Sequence, residues 1–369
     1  MNTQGLTVEL RHPLRQFELD VRFQVGSETL ALVGPSGAGK TSVLRAIAGL
    51  LRPKEGIIMA GETPLIDTTR RVMLPPEDRA VGMMFQEGAL FPHMSVAKNV
   101  AYGLRPRPKN RAERRHRVRE LLDQFGIASL AKARPGEISG GERQRVALAR
   151  AVGRSPRVLL LDEPLSALDS VTKAQVSAEL ARWLSELRLP TILVSHDFED
   201  VAGLANRVVV LDRGKVVQDA SVDDFVDAPA SPFVAAFTGV NFFHGTAARA
   251  GDRVEVALEP AGTVVAAVSQ AGPVAVVVDP WAVRVDPDDE AVSRPNTLVG
   301  PILQISRLGG TARVKVGSTP PVLAEVPPKR LAVLALEQGQ VVTARWDAED
   351  VRVLAAGTAP SAGELPRSR

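Results

Sequence analysis

Residues 34–41 read Gly34-Pro35-Ser36-Gly37-Ala38-Gly39-Lys40-Thr41. The spacing is G-x-x-x-x-G-K-[ST]. It constrains the chain more than any other stretch, because such a loop works only between a buried strand and a helix. Leu30-Ala31-Leu32-Val33 before it is an apolar, strand-like run, and Ser42 to Ala48 after it has helical composition. Glycines let the backbone curl so that several N–H groups converge on phosphate oxygens, and the helix N-terminus adds partial positive charge. Lys40 is expected to reach the β- and γ-phosphates, and the Thr41 hydroxyl to ligate Mg²⁺. The loop implies a nucleoside triphosphate. It does not choose among kinase, GTPase, helicase and transport ATPase.

At 369 residues the chain is long enough for two or three domains with real cores. It contains no uninterrupted apolar run long enough to span a bilayer, and Met1 to Gln4 lacks the charged and apolar regions of a secretory signal. There is no cysteine, which excludes disulfides and thiolate metal sites and fits a reducing compartment. A net charge of +3 is too small to argue for a polyanionic partner. Arg105, Arg107, Lys109, Arg111, Arg114, Arg115, Arg117 and Arg119 crowd one segment without interleaved aromatics, so nucleic acid is not an expected partner.

Leu6, Val8 and Leu10, then Phe17, Leu19, Val21 and Phe23, alternate with polar residues. Period two predicts two half-buried strands, with Arg11-His12-Pro13-Leu14-Arg15 as the turn. A strand is expected over 56–61, a loop over 62–79, and a buried strand over 81–86 that ends on the amide of Gln86. Residues 95–150 read as a mostly helical insertion. Val158 to Leu161, Thr191 to Val194 and Val208 to Leu211 are further apolar strands, the last joined to Lys215-Val216-Val217 as a hairpin about Asp212-Arg213-Gly214. Alternating strands and helices predict an α/β domain over 1–237 with a largely parallel sheet. From 238 to 355 short Val-rich segments separated by Gly and Pro replace helical periodicity, which predicts a small all-β unit. Residues 356–369 read as a fraying tail.

Asp162 and Glu163 follow four apolar residues, Val158 to Leu161. In a parallel sheet ligands gather at the carboxyl ends of strands, so this pair is expected beside the loop. Asp162 would hold Mg²⁺, and Glu163 would activate the attacking water as general base. Ser139-Gly140-Gly141-Glu142 opens a helix and offers a second anion site. One chain brings only one γ-phosphate to its own loop, so a second site makes sense if two chains sandwich ATP.

The chain resembles the nucleotide-binding subunit of an ABC transporter. GPSGAGKT at 34–41, Gln86, ISGGERQRVALARA at 138–151, VLLLDEP at 158–164, Ser166-Ala167-Leu168-Asp169 and His196 stand in the family's order. The resemblance implies a P-loop NTPase fold with a helical subdomain at about 95–150. It implies that Gln86 contacts Mg²⁺ and the attacking water, that Ser139 and Gly141 touch the γ-phosphate held by the other protomer, that Asp169 signals across the dimer, and that His196 bonds the γ-phosphate. Ile138 and Glu142 replace the family's commoner Leu and Gln. The family's aromatic adenine platform lies near the turn after the first strand; here the resemblance leaves two readings, Arg11 stacking as a planar cation or no platform.

The architecture resembles importers that work with a separate membrane permease and an extracytoplasmic substrate-binding protein, placing this chain at the cytoplasmic face of the membrane. The 238–355 domain resembles OB-like β domains of the MOP/TOBE type. Ser293, Arg294 and Asn296 resemble the oxyanion pattern of molybdate-binding β domains, and Leu74 to Arg79 through Phe91-Pro92-His93 resembles molybdate importer ATPases. Molybdate is therefore the first expectation, with sulfate, ferric iron and polyamine sharing most of the architecture. A soluble ABC-type ATPase acting on nucleic acid would carry long coiled coils or a second cassette, and neither is present.

Overall fold

The computed structural model describes residues 5–85, 89–104, 110–250, 253–267, 271–287, 295–308 and 311–355. The described residues divide into two compact units, those up to 225 and those from 226 onward. The division falls ahead of residue 238, where the sequence pattern changes, because the short helices Val222–Asp227 and Pro232–Thr238 straddle or follow it.

The first unit opens with β1 (Leu6–Pro13), β2 (Glu18–Val25) and β3 (Thr29–Val33), followed by α1 (Lys40–Ala48). Next come β4 (Glu55–Ala60), β5 (Thr63–Asp67), β6 (Val72–Met73), β7 (Val81–Met84), α2 (Val96–Gly103), α3 (Arg111–Gln124) and α4 (Gly140–Val152). The unit continues with β8 (Val158–Asp162), α5 (Ser170–Leu187), β9 (Thr191–Val194), α6 (Phe198–Leu204), β10 (Arg207–Asp212) and β11 (Lys215–Ser221). Its strands form one sheet in the order β6-β5-β4-β1-β2-β11-β10-β3-β9-β8-β7. The sheet is mixed rather than largely parallel. Strands β10, β3, β9, β8 and β7 run parallel, whereas β1, β2, β4, β5 and β6 pair antiparallel. Residues 62–79 contribute β5 and the edge strand β6 instead of a plain loop.

The parallel strands are buried on both faces, as their unbroken apolar runs require. Successive side chains point to opposite faces. Leu160 and Ile192 pack with Val43, Leu44 and Ile47 of α1, while Leu159, Leu161 and Leu193 pack with Val146, Leu148 and Trp183 from α4 and α5. Arg79, 2 % exposed, fixes the far end of α1 by donating to the carbonyls of Ala46 (2.6 Å) and Ile47 (3.0 Å). These are carbonyls that a helix C-terminus otherwise leaves unpaired.

The expected turn at 11–15 is displaced. Pairing of β1 and β2 continues to Pro13 opposite Glu18, and the chain reverses over 14–17, closed by the Leu14 N–H on the Phe17 carbonyl (2.8 Å). Arg11 stays in the ladder because its guanidinium lies across the pair on Asp20 (3.1 Å).

The second unit holds two five-stranded sheets among the described residues, built around a Val-rich core. One includes the strands Asn241–Ala250 and Gly272–Val278, the other Thr297–Leu308 and Val322–Val326. Asn241, buried at a strand start, ties the two together. Its amide donates to the carbonyls of Val278 (3.1 Å) and Leu323 (2.8 Å) and accepts from the Leu323 N–H (2.7 Å).

Candidate active site

The sheet order sets the site. Strands β3, β9 and β8 are adjacent and parallel, so their carboxyl ends align. The loop 34–39 leaves β3, Ser195 and His196 leave β9, and Asp162 and Glu163 end β8. Three stretches distant in sequence are thereby brought to one edge.

The loop is shaped by residues that tolerate left-handed backbone. Gly37 and Gly39 have φ of 80° and 111°, and a Cβ at Gly34 would stand 2.0 Å from the Leu211 carbonyl oxygen. Helix α1 starts from Gly39 with no side-chain cap, so its first N–H donors point outward uncapped. The Lys40 ammonium folds back onto the carbonyls of Gly34 (2.7 Å) and Pro35 (3.0 Å). Burial lowers its pKa, opposed by the nearby charges of Glu163 and Asp162. Uncapped amides, open space around Gly37 and a part-buried ammonium fit a triphosphate.

Burial raises the pKa of Asp162, and the neighbouring Glu163 raises it further, against the opposing pull of Arg45 and Lys40. A carboxylate held beside another in a part-buried place fits a divalent cation that would offset both charges. Glu163 adopts φ 48°, a left-handed conformation that costs a non-glycine residue strain. Its N–H donates to the Val194 carbonyl (2.9 Å), locking the end of β8 to the end of β9. Its Oε2 lies 3.0 Å from Nδ1 of His196, whose ring is 71 % exposed. Gln86 lies outside the described residues.

Ser139 caps α4. Its hydroxyl accepts from the Glu142 N–H (3.3 Å), and Glu142 accepts from the Ser139 N–H (2.7 Å). Gly140 and Gly141 are required for close packing, since Cβ atoms there would meet Leu168 at 2.9 Å and Val176 at 3.0 Å. Gln144, one turn on, donates to the Pro164 carbonyl and fastens this helix to the turn that follows Glu163. Asp169 caps α5, accepting from the Thr172 N–H (3.1 Å).

Two of the expected site residues have partners of their own within the fold. Arg11 is held by Asp20 in the ladder, while Phe17, Gln16, Pro35, Ser36, Gly37, Ala38, Asp212 and Arg213 line a cavity of about 600 Å³ beside the loop. Phe17 packs so closely on the hairpin glycine that a Cβ at Gly214 would lie 2.8 Å from its ring. The aromatic beside the loop is therefore Phe17, hidden in the sequence because it matches the period-two pattern of a strand. Asn296 is 5 % exposed, and its amide is committed to the backbone of Val265, accepting from its N–H (2.6 Å) and donating to its carbonyl (3.0 Å). Ser293 and Arg294 lie outside the described residues.

A family model described as ABC transporter matches residues 18–166, and one described as TOBE domain matches residues 276–354. A sulfate/thiosulfate import ATP-binding protein of Agrobacterium fabrum is 47 % identical over 249 residues, covering 65 % of this chain and 68 % of its own length. A molybdenum import ATP-binding protein of Mycobacterium tuberculosis is 38 % identical over 315 residues, 84 % of this chain and 85 % of its own. A trehalose/maltose import ATP-binding protein of Thermococcus litoralis is 42 % identical over 226 residues, 61 % and 60 % of the two chains. The chain belongs to the ABC transporter ATP-binding family. This ABC subunit is an importer ATPase, uses ATP with Mg²⁺, and couples hydrolysis to transport. Its second unit is the TOBE-type, OB-like β domain. No helix among the described residues is long and apolar enough to cross a membrane, and the importer relatives imply a dimer and a membrane permease.

Phe17→Ala is expected to weaken ATP binding by about 1–3 kcal/mol, the range for base–aromatic stacking. Arg11→Ala should change it by less than about 0.5 kcal/mol, as for ordinary surface substitutions. Titration with a fluorescent ATP analogue checks both, and the reverse ranking would favour Arg11 as the platform.

Proposed function

We propose that two copies of this chain close around ATP, each loop 34–41 facing Ser139–Glu142 of the other, and that hydrolysis drives oxyanion uptake through a membrane permease. The observation that supports this most is the pairing of Glu163 with His196, 3.0 Å apart, at the strand edge that also carries the loop. Phe17 stacks on adenine. The amides of Gly34 to Gly39 and the Lys40 ammonium hold the phosphates, and Thr41 and Asp162, with Gln86, hold Mg²⁺. The metal, when bound, neutralises charge on the phosphate oxygens. Glu163 takes a proton from the attacking water, and His196 orients the γ-phosphate against it. Ser139 and the backbone amides of Gly140 and Gly141 at the start of α4 offer a phosphate-grade surface for the other copy's nucleotide, and Asp169 passes the state of one site to the other.

Glu163→Gln keeps the shape but removes the base, so ATP binding should persist while hydrolysis falls by about 10²–10⁴-fold, the range for general-base loss. Wild-type hydrolysis by this variant would refute the assignment.

Molybdate is the favoured cargo. The molybdenum-importer relative matches 84 % of the chain, a length that must run well into the second unit. The sulfate reading is favoured by higher identity, 47 %, over 65 % of the chain. The Thermococcus relative, 42 % identical with a sugar in its name, warns that identity in the ATPase portion does not report cargo. The subunit then sits peripherally at the cytoplasmic face, on a permease fed by an extracytoplasmic binding protein. In vesicles reconstituted with those partners, molybdate-loaded binding protein should stimulate ATP hydrolysis and sulfate-loaded protein should not. Stimulation by sulfate alone would replace the first reading with the second.

A further inference from the structure

His196 is poorly held by its own side chain. The ring is 71 % exposed, and its side-chain partner among the described residues is Glu163. What places it must therefore act on the backbone to either side. The residues flanking it are unusually well fixed. Ser195 is 3 % exposed, and its hydroxyl accepts from the Asp197 N–H (3.1 Å) and donates to Asp200 Oδ2 (3.0 Å). Asp197 caps α6 by accepting from the Glu199 N–H (2.9 Å). Asp200 is 4 % exposed.

Both carboxylates converge on a single cation. The Lys173 Nζ lies 2.5 Å from Asp197 Oδ2 and 2.7 Å from Asp200 Oδ1, and its side chain is only 21 % exposed. Lys173 belongs to the opening of α5, and its own N–H donates to the carbonyl of the cap residue Asp169 (2.8 Å). Two part-buried carboxylates this close would repel each other without the ammonium between them. Burial opposes the charged forms, yet the attraction is strong enough that the Lys173 pKa is raised and that of Asp197 is lowered.

We propose that Lys173 is a positioning residue for ATP hydrolysis, clamping residues 195, 197 and 200 so that His196 stands against Glu163 and is tied to the start of the helix capped by Asp169. The Lys173 ammonium contacts Asp197 and Asp200 and acts on His196 through the chain between them. The inference rests on the roles given above to His196 and Glu163. Removal of the clamp should leave the loop and its cavity untouched, since Lys173 is in neither. The expected signature is a loss in kcat without a loss in nucleotide binding, because displacement of a reacting group by about 1 Å can cost about 10²-fold in rate.

The experiment measures steady-state ATP hydrolysis by the full-length protein for Lys173→Met, Lys173→Arg, Asp197→Asn and His196→Ala. Lys173→Met should lower kcat by about 10–100-fold with the KM for ATP within about twofold, and Lys173→Arg should restore most of the rate. Should Lys173→Met fail to fold, Asp197→Asn, which keeps the shape and removes one arm of the clamp, must show the same split. Normal kcat in folded Lys173→Met, or in Asp197→Asn, overturns the proposal even if the melting temperature drops, because the clamp would then serve stability alone. An Arg variant as slow as the Met variant also overturns it. His196→Ala separates the two failures. If it too turns over normally, the assignment of His196 is wrong and the positioning argument falls with it; if only the Lys173 variants are normal, His196 stands and the clamp does not.

Discussion

Burial of β3, β9 and β8 on both faces is the constraint on which the site depends. Their backbone groups must pair with one another because no water reaches them, and their side chains must be apolar in both directions. Polar residues can therefore appear only where the strands stop. The chain places its glycine loop, its carboxylate pair and its histidine at those stops, and parallel pairing puts the stops side by side. The functional edge is a consequence of how the core is sealed.

The strain and charge found there follow from the same arrangement. Glu163 is held at φ 48° by its hydrogen bond to Val194, and Asp162 has its pKa raised by burial and by the neighbouring carboxylate. Neither feature helps the isolated fold. The raised pKa marks a place that suits a cation, since an incoming positive charge relieves the repulsion between the two carboxylates. The Lys173 clamp belongs to the same logic, one step removed, with two carboxylates balanced by one ammonium beside the residue that faces Glu163.

Much of this was legible in the sequence because the loop, the carboxylate pair and the capped helix at Ser139 are local patterns with local physics. What stayed hidden was non-local. Phe17 alternates with its neighbours like a strand residue, and only the pairing of Pro13 with Glu18 moves it into the turn beside the loop. Asn296 carries no sign in the sequence of its two bonds to Val265, which brace the β unit. Residues 62–79, broken by prolines, still add two strands because Pro64 precedes the stretch of β5, Ile66 and Asp67, that pairs with the edge strand β6. Lys173 carries no motif at all, because its partners arrive from a strand end more than a helix away.

The central claim is that the chemistry belongs to a site shared between two copies. The most direct test mixes two variants, Lys40→Ala and Ser139→Arg, each inactive as a pure preparation. A mixed pair contains one site with an intact loop from one copy facing an intact Ser139 from the other. The account expects ATP hydrolysis to return on mixing. A mixture as inactive as its components would contradict it.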